Sequence, residues 1–317
     1  MSQIKTRTLG SSPDDLSTAA QMLRAGKLVS FPTETVYGLG ADACNDTAVA
    51  RIYDAKGRPS FNPLIIHLAD VDAVSRYCDM TNTADQLAAA FWPGALTLVL
   101  PLRADAGVSK LVTAGLGTVA VRVPDHPIAT AILQGVGGPV AAPSANPSGR
   151  VSPTTARHVE LGLTGRIDAI VDGGACTVGV ESTIVDCSGP HPVLLRAGGI
   201  PAEAIEACIG AILAPAPATD TPTAPGQLTS HYAPQGAMRL NAGTFGTEET
   251  ALGFGDVDAH LNLSRSGDLT EAAANLFDML HKLDAMGAKQ IAVSPIPDHG
   301  LGQAINDRLR RAAAPRD

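Results

Sequence analysis

Aromatic side chains and positive charge are both scarce in this sequence. Phe, Trp and Tyr make up 3% of the chain, and 31 acidic residues outweigh 23 Lys and Arg, leaving a net charge of -8 at pH 7. These values argue against a broad basic surface for phosphate backbones and leave few rings for stacking on bases. We therefore expect no tight nucleic-acid binding, although a local cluster of Lys and Arg could still hold a small polyphosphate.

Paired cysteines and long apolar runs are also missing. The five cysteines are an odd number, are widely scattered and include no CxxC pair, which favours a reducing compartment. No apolar run approaches the length of a membrane span, and the first seven residues lack the apolar segment of a signal peptide. We expect a cytoplasmic protein that makes no use of a membrane.

Apolar residues, glycine and proline are abundant instead. The 317 residues are 45% hydrophobic, with 32 Gly and 23 Pro, which is enough material for two domains with many turns. Patterns typical of βα units alternate with runs of adjacent strands, so the sequence predicts an α/β fold with a mixed, twisted sheet.

A proline-rich segment divides the chain. Residues 214–225 contain four prolines and no apolar periodicity, as is typical of a semi-rigid linker. We predict a first domain over residues 1–212, a linker over 213–236 and a small C-terminal domain over 237–317. An amphipathic helix pattern around Leu276 and Leu280 follows several strand patterns, so a Rossmann-like α/β fold is expected for the C-terminal domain.

The stretch over residues 30–40 carries the first candidate site. An apolar strand ends at Pro32, and a loop with Thr33, Thr35, one carboxylate (Glu34) and two glycines follows. This pattern indicates a pocket wall; the alternative is an ordinary strand-to-helix connection whose hydroxyls satisfy backbone groups. The segment G-L-G-A-D-A formally matches a dinucleotide fingerprint but lies too far beyond the strand to support that interpretation.

Cationic side chains belong to the second and third candidate sites. Lys56 and Arg58 lie two residues apart at the end of a predicted helix, where they could bind one polyphosphate or simply complement the helix dipole. Thr118 and Arg122 share one face of a predicted strand. An arginine inside this apolar run needs a partner, which could be a ligand carboxylate or an internal Asp or Glu.

A hydroxyl-bearing turn follows one further predicted strand. Ser144 and Asn146 come after a short strand, and Ser152 precedes a helix that we predict over residues 153–161. Hydroxyls, amides and free N–H groups at a strand's carboxyl end suit a nucleotide, but also describe many plain turns. Ser182 and Arg196 belong to similar weak signals, and His67 at a strand end is more often structural than a ligand contact.

Six motifs in fixed order carry more information than any one of them. The series PTETVYGLG, KGRPxxNP, TVAVRVP, APSAN, VESTIVD and LLRAG resembles the YrdC-like family of threonylcarbamoyl-AMP synthases over about residues 10–210. Residues 224–234, which end in His-Tyr-Ala-Pro, are similar to the interdomain linker of the longer, two-domain members. The chain departs from that linker pattern at Gln227 and Leu228, where a Met-Lys or Met-Arg pair is usual.

The resemblance implies a function and a set of roles. Members of the family condense L-threonine, bicarbonate and ATP to threonylcarbamoyl-AMP and pyrophosphate, and the product is passed to the transferase that modifies tRNA beside the anticodon. Mg²⁺ would arrive with ATP, and no dedicated protein metal site is implied. The implied concave cavity would bind threonine through Thr35, His67, Arg122, Ala142 and Ser182. It would bind ATP through Lys56, Arg58, Asn62, Thr118, Ser144, Asn146, Ser152, Arg196 and Tyr232, with Lys56 and Arg58 offsetting charge during catalysis.

Two other functions remain as alternatives. A concave sheet could bind RNA, which the acidic composition argues against. A carbamoyl-adenylate enzyme of hydrogenase maturation contains a similar domain, but such proteins also carry zinc-binding Cys pairs that this chain lacks.

Overall fold

Two sheets with flanking helices make up the protein. A computed structural model describes residues 4–59, 62–216, 224 and 231–315. The strands are β1 (Arg7–Leu9), β2 (Val29–Phe31), β3 (Gly38–Asp42), β4 (Ile65–His67), β5 (Leu96–Pro101), β6 (Thr118–Arg122), β7 (Val140–Ala141), β8 (Ala169–Val171), β9 (Thr183–Asp186), β10 (Val193–Arg196), β11 (Ala214–Pro215), β12 (Ala237–Arg239), β13 (Thr250–Gly253), β14 (Leu261–Asn262) and β15 (Gln290–Val293). The helices are α1 (Pro13–Arg24), α2 (Asp46–Lys56), α3 (Asn82–Phe91), α4 (Lys110–Thr113), α5 (Pro127–Val136), α6 (Ala156–Leu163), α7 (Ala202–Ile209), α8 (Leu269–Ala285) and α9 (Leu301–Ala313).

The large sheet mixes parallel and antiparallel pairs. Its strand order is β1-β8-β2-β3-β7-β4-β6-β5-β9-β10-β11. The parallel pairs include β4 with β6 and β5 with β9, whereas β3, β7 and β4 run antiparallel to one another in turn. The predicted mixed α/β fold is confirmed by this topology.

The two faces of the large sheet are covered differently. Along β6, Val119 and Val121 belong to the largest apolar core, which includes residues of α2, α3 and α7. On the opposite face, α1 and α5 pack in a second core with Val29 and Val171. Arg122 and Ala120 also point to this second face, since they alternate with Val119 and Val121 along the strand. A polar cavity can therefore form there beside α1 and α5.

The second sheet contains four parallel strands in the order β12-β15-β13-β14 and packs with α8 and α9. Its apolar core extends into the first domain, because Val36, Val151 and Val180 belong to the same cluster as Leu276 and Phe277 of α8. The expected small α/β domain at the C-terminus is confirmed. The exact domain boundaries stay a prediction, and the linker departures at Gln227 and Leu228 lie outside the described residues.

Capping side chains define where α2 and α6 begin. Asn45 caps α2 by accepting a hydrogen bond from the backbone N–H of Ala48, and Gly57 ends the helix with φ 61°. The prediction that Pro153 opens the next helix is wrong. Helix α6 begins at Ala156, because the hydroxyl of Thr155 caps it by accepting from His158 N.

The segment after Pro32 contains a strand that the sequence did not indicate. Residues 38–42 form β3, so the hydroxyl-rich loop joins two antiparallel strands and does not lead into a helix. Two glycines obscured this strand, since glycine weakens a strand interior. Gly40 is needed there because a Cβ would lie 2.7 Å from the ring of Phe31. Within the described residues, no helix is both long enough and apolar enough to span a membrane.

Candidate active site

A polar cavity lies on the second face of the large sheet, at the ends of β4 and β6. Its volume is about 40 Å³, which is room for only a few water molecules. The cavity is lined by Thr33, Thr35, Val36, Gly38, Arg58, Ile65, His67, Arg122, Ala142, Pro143, Ser144, Glu181, Ser182, Arg196, His231 and Tyr232. Residues from the hydroxyl-rich loop, the ends of several strands and the linker thus converge on one small volume.

One end of the cavity is organised around Arg122. Its Nη1 donates a 2.8 Å hydrogen bond to Thr35 Oγ1, and its Nε donates to the carbonyl of Gly94. Its Nη2 forms an ion pair with Glu34, and both side chains are more than 90% buried. The internal acidic partner that the sequence left open is therefore present, and Arg122 still lines the cavity.

Neutral polar groups complete this end. His67 lies opposite Arg122 in the parallel pair of β4 and β6, and burial together with Arg122 lowers its pKa to about 3. The imidazole is therefore neutral near pH 7. The hydroxyl of Ser182 is 2.7 Å from that of Thr97 in β5. This end offers one guanidinium, several hydroxyls and a neutral imidazole.

The other end contains buried cations. Arg196 donates from Nη2 and Nε to the carbonyl of Ser182, at 2.9 and 3.2 Å. Arg58 donates from Nη2 to the carbonyl of Pro63. Lys56 donates from Nζ to the carbonyls of Ser144 and Asn146, and burial together with Arg58 lowers its pKa well below the ordinary value. The arginines line the cavity, whereas Lys56 lies behind it and fixes the loop that carries Ser144.

Two residues of the linker form a lid over the cavity, His231 and Tyr232. The ring of Tyr232 is 1% exposed, stacks on Phe277 of α8 and adopts a positive φ of 61°, which costs a non-glycine residue conformational energy. Burial lowers the pKa of His231 to about 3, so it too is neutral. Both side chains line the cavity in the described structure.

Glu181 connects the cavity to the C-terminal domain. One of its carboxylate oxygens accepts a 2.6 Å hydrogen bond from the hydroxyl of Ser152, and the other accepts from Nε of Arg308 in α9 at 2.9 Å. Burial would raise the pKa of Glu181, but Arg308, Arg196 and the Ser152 hydroxyl outweigh it and lower the pKa. The carboxylate is therefore ionised.

The structure brings nine of the fourteen predicted site residues to the cavity wall. They are Thr35, Arg58, His67, Arg122, Ala142, Ser144, Ser182, Arg196 and Tyr232. Of the other five, Lys56, Asn62, Asn146 and Ser152 are buried and do not line it. Thr118 lies at the start of β6, on the same face as Arg122. Ala120 lies between them and packs in an apolar cluster with the linker residue Ala224. Ligand contacts of all fourteen residues stay a prediction.

Sequence reasoning missed Arg308 and left Glu34 without a role. A signal for Arg308 exists, because it falls on the apolar stripe of α9 with Ala304, Ile305 and Leu309. A cation on a buried stripe requires a buried anion. Among the residues described, no cluster of His, Cys, Asp or Glu could hold a metal ion.

Comparisons with known proteins cover nearly the whole chain. A family model for the Sua5, YciO and YrdC proteins, described as telomere recombination, matches residues 21–198. A second model, described as the C-terminal domain of threonylcarbamoyl-AMP synthase, matches residues 200–314. Threonylcarbamoyl-AMP synthase of Bacillus subtilis is 45% identical over 98% of this chain and 96% of its own length. The protein of that name from Pyrococcus abyssi is 43% identical over 93% of each.

A solved structure is also similar. The crystal structure of Pyrococcus abyssi Sua5 complexed with L-threonine matches with a TM-score of 0.89 and 40% identity, covering 97% of both chains. The similarity therefore includes both sheets and the segment that joins them.

Proposed function

The chain belongs to the threonylcarbamoyl-AMP synthase family, and we propose that the cavity under the lid is its active site. The protein is an enzyme of the nucleotidyltransferase type that makes threonylcarbamoyl-AMP for the threonylcarbamoyladenosine modification of tRNA. The observation that carries the assignment of the site is the arrangement of charge. A single cavity has one guanidinium among hydroxyls at one end and two further buried guanidiniums at the other.

Threonine would bind at the Arg122 end. Arg122 is held in place by Glu34 and Gly94, so its guanidinium is already oriented and can accept a carboxylate at little entropic cost. Thr35 and Ser182 present hydroxyls that can bond a small hydroxylated side chain. The similar Pyrococcus abyssi structure is a complex with L-threonine, which supports threonine as a substrate.

ATP would bind toward Arg58, Arg196 and Ser144, with Mg²⁺ entering as part of the nucleotide complex. Lys56 would act mainly by fixing the Ser144 loop, since its ammonium already donates to two carbonyls of that loop. The remaining predicted contacts, Asn62, Thr118, Asn146 and Ser152, surround this end, and Tyr232 would close over it. Because the cavity has a volume of only about 40 Å³, the lid must move for substrates to enter.

The reaction requires positioning and charge compensation more than covalent catalysis. The threonine amine forms a bond to the carbon of bicarbonate, giving a carbamate and releasing water. A carbamate oxygen then attacks the α-phosphorus of ATP, and the bond to the β-phosphate bridging oxygen breaks as pyrophosphate leaves. Arg58 and Arg196 would stabilise the charge that develops on the phosphates.

The enzyme's place in the cell follows from its product. We propose that threonylcarbamoyl-AMP is handed to the transferase that modifies tRNA, and that this enzyme makes no tight contact with nucleic acid itself. A cytoplasmic location agrees with the five cysteines, all of which are unpaired thiols.

Release of pyrophosphate tests the assignment. With ATP and bicarbonate present, release should depend on L-threonine and be weak with serine, valine or no amino acid. Arg122→Ala should lower kcat/KM for threonine by about 100-fold, because a buried charged contact is lost. The control is Arg157→Ala, whose side chain is 72% exposed and should leave activity unchanged. Release that ignores the amino acid, or equal activity of both variants, would overturn the assignment.

A further inference from the structure

One arginine of the C-terminal domain is completely buried against the site. Arg308 in α9 has 0% exposure and is the largest fully buried side chain of the described residues. A buried guanidinium is costly unless its charge and N–H groups are matched. Its Nε donates to Glu181, and its Nη1 donates to the carbonyl of Ala197 and the carboxylate of Asp307, both at 2.8 Å.

The partners of Arg308 in the first domain adjoin proposed substrate contacts. Glu181 lines the cavity and precedes Ser182, and Ala197 follows Arg196 in the chain. The guanidinium carbon also lies 5.2 Å from the ring centroid of Tyr232, in the range of a cation–π contact. One side chain of the C-terminal domain therefore contacts Glu181 in the cavity wall, the residue that follows Arg196, and Tyr232 of the lid.

Ser152 is held from two sides by the same domain. Its hydroxyl donates to Glu181, which Arg308 holds, and its carbonyl oxygen is 3.2 Å from Nε2 of His281 in α8. These contacts join sequence positions more than 120 residues apart. Ser152 is therefore held in part by side chains of the C-terminal domain.

Charge gives Arg308 a second effect. Glu181 is a buried carboxylate that faces the cavity in which we place a triphosphate. An uncompensated negative charge at this point would repel ATP strongly, because buried charges are poorly screened. The ion pair with Arg308 removes this repulsion.

We propose that Arg308 is a positioning residue of the ATP end of the site: through Glu181, Ala197 and Tyr232 it orients Ser152, Arg196 and the lid, and it neutralises Glu181. This inference rests on the proposed function. It assigns the C-terminal domain a part in nucleotide binding, supplied by a residue that does not line the cavity.

The test compares Arg308→Met with Arg310→Met in the full chain. Arg310 lies in the same helix but is exposed, so its variant should match the wild type. For Arg308→Met we expect the KM for ATP to rise about tenfold or more, with a much smaller change in the KM for threonine. Arg308→Lys, which keeps the charge without the planar fork, should fall between wild type and Arg308→Met.

A double variant distinguishes the effect of the uncompensated Glu181 charge from an effect on folding. Adding Glu181→Gln to Arg308→Met removes the uncompensated carboxylate and should restore much of the lost ATP affinity. Thermal unfolding of each variant and direct ATP binding in the absence of other substrates accompany the kinetics. Arg308→Lys supplies the comparison if Arg308→Met does not fold.

Two results would overturn the role of Arg308. One is a folded Arg308→Met or Arg308→Lys variant with unchanged ATP affinity. The other is a fall in activity that matches the loss of folded protein and shows no selective effect on ATP. In that case the double variant would also show no recovery. If the wild type binds ATP but releases pyrophosphate without regard to threonine, the proposed function fails instead. Direct ATP binding still reports on Arg308 in that case.

Discussion

At the scale of single residues, the cavity is built from charged groups whose partners are also buried. Arg122 pairs with Glu34 and Arg308 with Glu181, and both carboxylates are more than 90% buried. Breaking such a pair by removing one partner leaves an uncompensated buried charge and costs about 3–5 kcal/mol. We infer that Glu34 serves to hold Arg122 in position, which gives a role to the one carboxylate of the hydroxyl-rich loop.

Buried histidines predict how stability changes with pH. Burial lowers the pKa of His158 to about 4, with a further contribution from His281, whose ring stacks on it at 3.9 Å. The charges facing His158 are Asp278 and Lys282 of α8. Because the unfolded chain binds a proton near pH 6.5 and the folded protein does not, stability should fall as pH drops from about 6.5 toward 4.

Denaturant unfolding at pH 7.5 and pH 5 measures this effect. His158→Gln should lose about 2 kcal/mol less stability than the wild type between the two pH values. His191→Gln is the matched control, because His191 is exposed and should leave the pH dependence unchanged. An identical loss in the wild type and His158→Gln would contradict a lowered pKa of the half-buried His158.

At the scale of elements, the site depends on close packing between the first domain and α8. Gly179 lies directly before Val180, which belongs to the C-terminal core, and two residues before Glu181. A Cβ on Gly179 would lie 2.4 Å from Ala274 Cα and 2.5 Å from the carbonyl oxygen of Ala273. Its φ of +74° is also unfavourable for any other residue. The backbone carrying Glu181 can therefore reach α8 only through glycine.

Gly179→Ala should separate the two elements. We expect a loss of stability of more than about 2 kcal/mol, together with a raised KM for ATP, because Glu181 and Arg308 are pulled apart. Gly189→Ala is the control, since a Cβ at this exposed position meets no atom within 4 Å. Urea unfolding and steady-state kinetics provide the measurements. Wild-type stability in Gly179→Ala would show that the close approach is not required.

At the scale of the whole molecule, local patterns predicted the elements better than the contacts between them. Periodicity located the amphipathic helix around Leu276 and Leu280, which is α8, because this signal lies within one segment. Local patterns failed at β3, where two glycines hide a strand. The fold class was also predictable, since mixed βα and ββ order restricts the sheet to a mixed one.

The candidate site could not be assembled from spacing alone. Thr35 and Arg122 are 87 positions apart, and Glu181 and Arg308 are 127 apart, yet each pair shares a hydrogen bond. No local sequence pattern predicts which faces of distant helices and strands pack together. The ordered motifs and their family resemblance supplied the residues of the first domain, whereas Arg308 lies in α9, outside those motifs, and became visible only through its buried contacts.

The product itself tests the central claim most directly. The full chain should be incubated with ATP, L-threonine and ¹³C-labelled bicarbonate, and the mixture analysed by mass spectrometry. Synthesis of threonylcarbamoyl-AMP predicts an adenylate that contains both threonine and one labelled carbon, formed in equal amount with pyrophosphate. Release of pyrophosphate without a threonine-containing, labelled adenylate would contradict it.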